Sequence, residues 1–99
     1  MSFLPPVHPG EVLAEELDVR GVSPTELSRA LGVPQSRISN ILRERTGITA
    51  DTALRLGRWT GTGPELWLNL QKQYELRRAM IEVGAEIERV VTPASSAAH

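Results

Sequence analysis

Residues 23–43 read SPTELSRALGVPQSRISNILR, and this stretch decides the predicted fold. Ser23 and Glu26 have the spacing of a capping box, in which each side chain bonds the backbone N–H of the other residue. Pro24 suits the first helical position, where its missing N–H costs nothing. Gly32 accepts the left-handed conformation that ends a helix, and Pro34 opens the next one. The stretch therefore predicts two short helices joined by a tight turn.

The second of these helices has two different faces. At 100° per residue, Ile38, Ile41 and Leu42 share one side. Polar side chains occupy the opposite side and its N-terminal tip: Gln35, Ser36, Arg37, Ser39, Asn40 and Arg43. Amides hydrogen-bond adenine edges and arginines bond guanine edges in the major groove of DNA. A helix-turn-helix pair projects its second helix in the way that groove requires, so the pattern predicts DNA binding.

Positive charge is concentrated around the same helix. The whole chain has a net charge of −1, but four arginines and one acid lie between Arg29 and Arg45. Candidates for contacts with DNA phosphates are Arg29, Arg43, Arg45, Thr49 and Thr52. An ordinary solvated surface would explain the charge as well, Arg29 could instead pair with Glu26, and Thr49 is explained by capping the fourth helix.

Helix signals recur through the rest of the chain, and strand signals do not. A first helix begins at His8-Pro9-Gly10-Glu11, a fourth follows Thr49, and a fifth follows Pro64 with a break near Gly84. Inward-facing positions are expected to include Ala30, Ala53, Leu56 and either Leu54 or Trp59. These signals predict an all-α domain of five helices.

The chain is expected to consist of four segments. Residues 1–7 form an N-terminal arm, 8–73 the helix-turn-helix domain, 74–92 a C-terminal helical extension and 93–99 a disordered tail. A protein that reads a palindromic site works as a dimer, which needs an apolar patch on each copy. Candidates for that patch are Leu66, Leu70, Tyr74, Ile81 and Ile87. Trp67 fits either the core or the same interface.

The sequence lacks the residues that several classes of function require. The chain has no cysteine and only two histidines, far apart, so we expect no disulfide, metal site or cofactor. No nucleophile–base set or phosphate-cradling glycine loop is present, which argues against an enzyme. The start resembles no signal peptide, and no stretch is apolar enough to span a membrane, so we expect a cytoplasmic protein.

The stretch from Ser23 to Leu42 resembles the phage-repressor (Cro/C1, or XRE) helix-turn-helix class. Three further pieces are similar to HigA/VapI-type antitoxins: HPGEVL at residues 8–13, ITADTALRL at 48–56 and PELWLNLQ at 64–71. Two positions depart from the family pattern. Pro24 replaces a glutamine that helps fix a backbone contact, and Pro34 replaces the usual serine or threonine cap.

The resemblance implies a five-helix Cro/C1-type domain that binds DNA as a homodimer. It implies that Gln35, Ser36 and Asn40 face bases, with Arg37 and Ser39 close to base edges or backbone. Proteins of this family repress their own operon and neutralise a small RNA-cleaving toxin, here a HigB-like partner. Two alternatives stay open: a stand-alone repressor of the same fold, or a protein-interaction module whose DNA face has lapsed.

Overall fold

The computed structural model describes residues 5–95, and these residues form five helices and no strand. The helices are α1 (Pro9–Arg20), α2 (Pro24–Leu31), α3 (Gln35–Leu42), α4 (Ala50–Thr60) and α5 (Pro64–Val90). The predicted all-α fold is therefore confirmed. Residues 1–4 of the predicted arm and 96–99 of the predicted tail lie outside the described residues.

Hydrogen bonds to side chains fix where the first two helices begin. The Ser23 hydroxyl accepts from the Glu26 N–H at 3.1 Å, and the Glu26 carboxylate accepts from the Ser23 N–H at 2.9 Å. That backbone bond lowers the pKa of Glu26. At α1, Nδ1 of His8 accepts from the Gly10 N–H at 2.8 Å, and the Glu11 carboxylate accepts from the His8 N–H at 3.3 Å. Both helices thus start with a reciprocal cap, and only the one at Ser23 follows the usual sequence pattern.

One hydrophobic core holds the five helices together. Its buried members are Leu13, Leu17, Leu27, Leu31, Ile38, Ile41, Ile48, Ala53, Leu56 and Trp67. Two expectations about inward positions are wrong, since Ala30 and Leu54 are exposed, whereas Trp59, the alternative to Leu54, is partly buried and packs against the core. The reason is that α2 buries the side that carries Leu27, Ser28 and Leu31, while α4 turns Leu54 outward.

The last helix runs without interruption from Pro64 to Val90, so the break expected near Gly84 does not occur. A single glycine costs a helix only about 1 kcal/mol, and here its neighbours continue the helical hydrogen bonding on both sides. Trp67 is the one residue of α5 that is fully buried. The C-terminal half of α5 therefore projects from the core and gives the molecule its 54 Å length.

The packing of α1 on α3 depends on a glycine at the crossing. A Cβ atom built on Gly10 would lie 2.1 Å from the backbone carbonyl oxygen of Ile41. The backbone of Ile41 cannot move aside to relieve this clash in the way that the end of a flexible side chain could. Only glycine therefore allows α1 to approach α3 this closely.

Gly10→Ala is expected to lower the free energy of unfolding by about 1–3 kcal/mol, because α1 must move away from α3. Urea denaturation followed by circular dichroism measures the change. Gly84→Ala is the matched control, since its added Cβ meets nothing nearer than 3.9 Å. That variant should be neutral or gain up to about 1 kcal/mol. Equal losses in both variants would contradict the close approach at Gly10.

Candidate nucleic-acid interface

The helix α3 lies with one face in the core and the other on the surface. Ile38 and Ile41 are 0% and 1% exposed, and they anchor the helix. The turn before it is tight because Gly32 has a left-handed backbone (φ +70°) and donates its N–H to carbonyl groups of α2. Pro34 stands at the N-cap position of α3 without a side-chain cap. The N-terminal N–H groups of α3 therefore have no side-chain partner at the cap.

The outward face of α3 presents the polar side chains named from the sequence. Gln35 and Ser36 are exposed, and Arg37, Ser39 and Asn40 are partly exposed. All five lie within two turns of one helix, so the structure brings them together. Their neutral amide and hydroxyl groups can donate and accept hydrogen bonds, as base edges require.

The phosphate candidates are distributed differently. Arg43, Arg45 and Thr49 lie exposed on the loop between α3 and α4, and Arg29 is exposed on α2. Among residues 5–95, Arg29 forms no ion pair, and the alternative pairing with Glu26 does not occur. This leaves four exposed candidates around the outward face of α3.

Thr52 is not on this surface. It is 2% exposed, and its hydroxyl accepts a hydrogen bond from the Thr49 hydroxyl at 3.2 Å. The Thr49 oxygen also accepts from the Thr52 N–H at 3.3 Å, which caps α4. Thr52 therefore belongs to the folding of the α4 N-terminus, and the structure separates it from the exposed candidates.

Two sets of contacts at this surface were not predicted from the sequence. Asp51 on α4 accepts from Nη1 of Arg37 at 2.5 Å and from Nε of Arg55 at 3.0 Å. Gln71 on α5 accepts from the Ile48 N–H at 2.7 Å, next to Gly47, where any larger side chain would meet the Gln71 amide. The first set fixes an arginine of α3, and the second fixes the loop between α3 and α4.

Four of the five candidate dimer residues lie within about 80° of one another around the α5 axis, and Ile87 lies outside that sector. Leu70 packs against the core, and Tyr74 meets the His8 ring edge-on at 4.8 Å between centroids. Leu66, Ile81 and Ile87 are exposed by 43%, 58% and 49%. Ile81 lies about 120° around the helix axis from Ile87.

A different apolar stripe runs along the projecting half of α5. Its members follow one another at alternating spacings of four and three residues, which is the repeat of a coiled-coil seam. We call this stripe the α5 seam: Leu76, Met80, Val83, Ile87 and Val90. Met80 is partly buried and the other four are exposed. Of the five dimer candidates, only Ile87 belongs to it.

Within residues 5–95, no group of three or more histidines, cysteines or carboxylates is arranged to hold a metal ion. No helix in that range is long and apolar enough to cross a membrane.

Comparison with known proteins shows which family the chain belongs to. Residues 13–67 match the helix-turn-helix family HTH_3. The chain is 46% identical over 97 residues to virulence-associated protein I of Dichelobacter nodosus, covering 97% of this chain and 88% of the relative. A solved addiction-module antidote protein of the HigA family from Coxiella burnetii is 47% identical, with a TM-score of 0.88 and coverage of 91% and 99%.

The chain belongs to the HigA family of helix-turn-helix antitoxins. The sequence resemblance is thereby confirmed, and so is the expectation that the protein is not an enzyme. A further HigA, that of Pseudomonas aeruginosa solved with the higBA promoter, is 43% identical with a TM-score of 0.86, covering 90% of this chain and 98% of that one. The likeness to HigA structures extends through most of α5 and is not confined to the helix-turn-helix.

Of the three features that were not predicted from the sequence, only the α5 seam has a recognisable sequence pattern. Gln71 lies in the PELWLNLQ piece that carries the resemblance, yet nothing local connects it with Ile48, 23 residues earlier. Asp51 looked like an ordinary acid in the first turn of a helix. The α5 seam could have been found by counting its four–three spacing.

Proposed function

We propose that this HigA-type protein binds a palindromic operator in its own promoter as a homodimer, represses the operon and neutralises a HigB-like RNA-cleaving toxin. It would do so in the cytoplasm, where the operator is. The observation that carries the DNA-binding part is the two-sided α3. Ile38 and Ile41 hold the helix in the core, while a face rich in amides and hydroxyls remains free.

Recognition of the DNA sequence is assigned to the outward face of α3. The Asn40 amide offers a donor and an acceptor, which together match an adenine edge. Gln35 and Ser36 lie nearer the N-terminal tip, where recognition helices contact bases. Ser39 and Arg37 flank them, close to the base edges or the adjacent backbone.

Phosphate contacts are assigned to the surroundings of α3. Arg43 and Arg45 are exposed on the loop after it, and Arg29 is exposed on α2. The N-terminus of α4, capped by Thr49, adds backbone N–H groups and the positive end of a helix dipole. These groups attract any DNA sequence and orient the protein on it. The Pseudomonas aeruginosa HigA solved with the higBA promoter supports the same use of the fold.

Dimerisation is assigned to the α5 seam. Its apolar side chains project beyond the core, and pairing with a second copy would bury them. A two-fold dimer would place two copies of α3 about one DNA turn apart, roughly 34–36 Å. The operator should then be a palindrome with half-sites at that spacing.

The DNA-binding proposal is tested by titrating the protein against a duplex from directly upstream of its coding sequence and against a scrambled duplex. Selective binding at two salt concentrations would support it. Equal or absent binding to both duplexes would overturn it and favour an interaction module with a lapsed DNA face.

The toxin part needs its own experiment. Co-expression with a neighbouring short reading frame should relieve that frame's toxicity and yield a complex that co-purifies. The absence of any toxic neighbour would favour the stand-alone repressor.

Asn40→Ala and Arg43→Ala should weaken DNA binding in different ways. Asn40→Ala should cost about 1–3 kcal/mol on the operator and little on scrambled DNA, because it removes a base contact. Arg43→Ala should weaken both duplexes alike and reduce the salt slope by about one, because it removes a phosphate contact. Fluorescence anisotropy at several salt concentrations measures both effects. A loss in Asn40→Ala that is equal for the two duplexes would contradict its assignment.

A further inference from the structure

Arg37 is the one basic residue within α3, and its charge is already paired in the free protein. Its Nη1 donates to Oδ2 of Asp51 at 2.5 Å, with the two side chains 39% and 54% exposed. The other base-reading candidates within α3, Gln35, Ser36, Ser39 and Asn40, are neutral. The residues of α3 itself therefore present no unpaired positive charge, and the exposed Arg43 follows the helix.

Asp51 is itself held from a second side. Arg55, one turn later on α4, donates from Nε to the same Asp51 oxygen at 3.0 Å. Nη1 of Arg55 also donates to the Leu31 carbonyl at 2.7 Å, at the turn between α2 and α3. The bonds from Arg55 and then Arg37 lower the pKa of Asp51, so the carboxylate stays charged. Three helices thus fix the position of this carboxylate.

We propose that Asp51 determines specificity by holding Arg37 at the start of α3 and keeping its guanidinium from binding any phosphate within reach. Random DNA then gains less from Arg37, because a phosphate contact has to replace the pair with Asp51. A correct operator gains from the neutral base-reading groups, which the fixed Arg37 and α3 place in register. This inference rests on the DNA-binding function proposed above.

The test compares Asp51→Asn with Glu65→Gln in the full-length protein. Glu65 is also an acid in the first turn of a helix, so both variants lose one negative charge and one favourable dipole contact. Among residues 5–95, Glu65 pairs with no arginine. Glu65→Gln therefore controls for net charge and for helix stability.

Asp51→Asn should bind a scrambled duplex roughly three- to tenfold more tightly at about 0.1 M salt, with a salt slope steeper by about one, because Arg37 is then free to meet phosphate while Arg55 stays bonded to the Leu31 carbonyl. Affinity for the upstream duplex should change less, so the ratio of the two affinities should fall. Glu65→Gln should leave that ratio at its wild-type value.

A double-mutant cycle with Arg37→Ala tests whether Asp51 acts through Arg37. In the Arg37→Ala background, Asp51→Asn should no longer lower the affinity ratio. An Asp51→Asn variant with the same ratio and salt slope as Glu65→Gln would overturn the inference, and so would a full effect that survives Arg37→Ala. Failure of the wild-type protein to distinguish the two duplexes would instead overturn the proposed function.

Discussion

Trp67→Ala is expected to lower the free energy of unfolding by about 3–5 kcal/mol, a larger loss than that of Gly10→Ala. Trp67 is 1% exposed and is the one fully buried residue of α5. The removal of its side chain leaves a cavity where α5 meets the core. Because α5 has no other fully buried side chain, its backbone amides should also be less protected from hydrogen exchange in this variant than in the wild-type protein.

Trp67→Phe distinguishes the contribution of the aromatic ring to stability from that of the indole N–H. Within residues 5–95, the Trp67 indole N–H has no hydrogen-bond partner, and a buried unpaired donor costs about 1–3 kcal/mol. Phenylalanine removes that donor and fills most of the space, so we expect a net loss below about 1.5 kcal/mol. Urea denaturation at one fixed protein concentration, with Trp59 as the fluorescent probe, measures both variants. Equal losses in the two would show that the indole nitrogen, and not the ring volume, stabilises the fold.

Ile87→Glu is expected to reduce operator affinity by about 10²–10⁴-fold, because a monomer loses the gain of binding two half-sites together. A charge in the middle of the α5 seam would be buried without a partner if two copies paired there. Sedimentation velocity should show the variant as a monomer at concentrations where the wild-type protein is a dimer.

Ile81→Glu is the matched control for the seam. It makes the same chemical change at a similarly exposed isoleucine of the same helix, about 120° away around the axis. It should remain dimeric and keep its operator affinity. A monomeric Ile81→Glu, or a dimeric Ile87→Glu, would place the interface on another face of α5.

Local signals were sufficient for the helices that carry the site. Ser23 and Glu26 predicted a capping box that the structure contains, and Gly32 predicted the turn. These features depend on residues no more than four apart, so the sequence displays them directly. The face of α3 was also predictable, because Ile38 and Ile41 recur at helical spacing.

Features that depend on how helices cross were not predictable in the same way. Ala30 and Leu54 have the right residue type for a core, but no neighbouring helix covers them. Thr52 looked like a surface hydroxyl, although the start of α4 faces the core there. The pair of Arg37 and Asp51 joins residues 14 apart in sequence on two helices, and only their crossing brings the charges together.

The separation of buried from exposed residues on α3 has a consequence for how such regulators diversify. Ile38 and Ile41 hold the helix in place, whereas Gln35 and Ser36 are exposed. Exchanges at exposed positions of this kind usually change stability by no more than about 0.5 kcal/mol. A duplicated gene could therefore acquire a new operator through a few codon changes while its fold stays intact. Two such copies in one chromosome would then bind different operators.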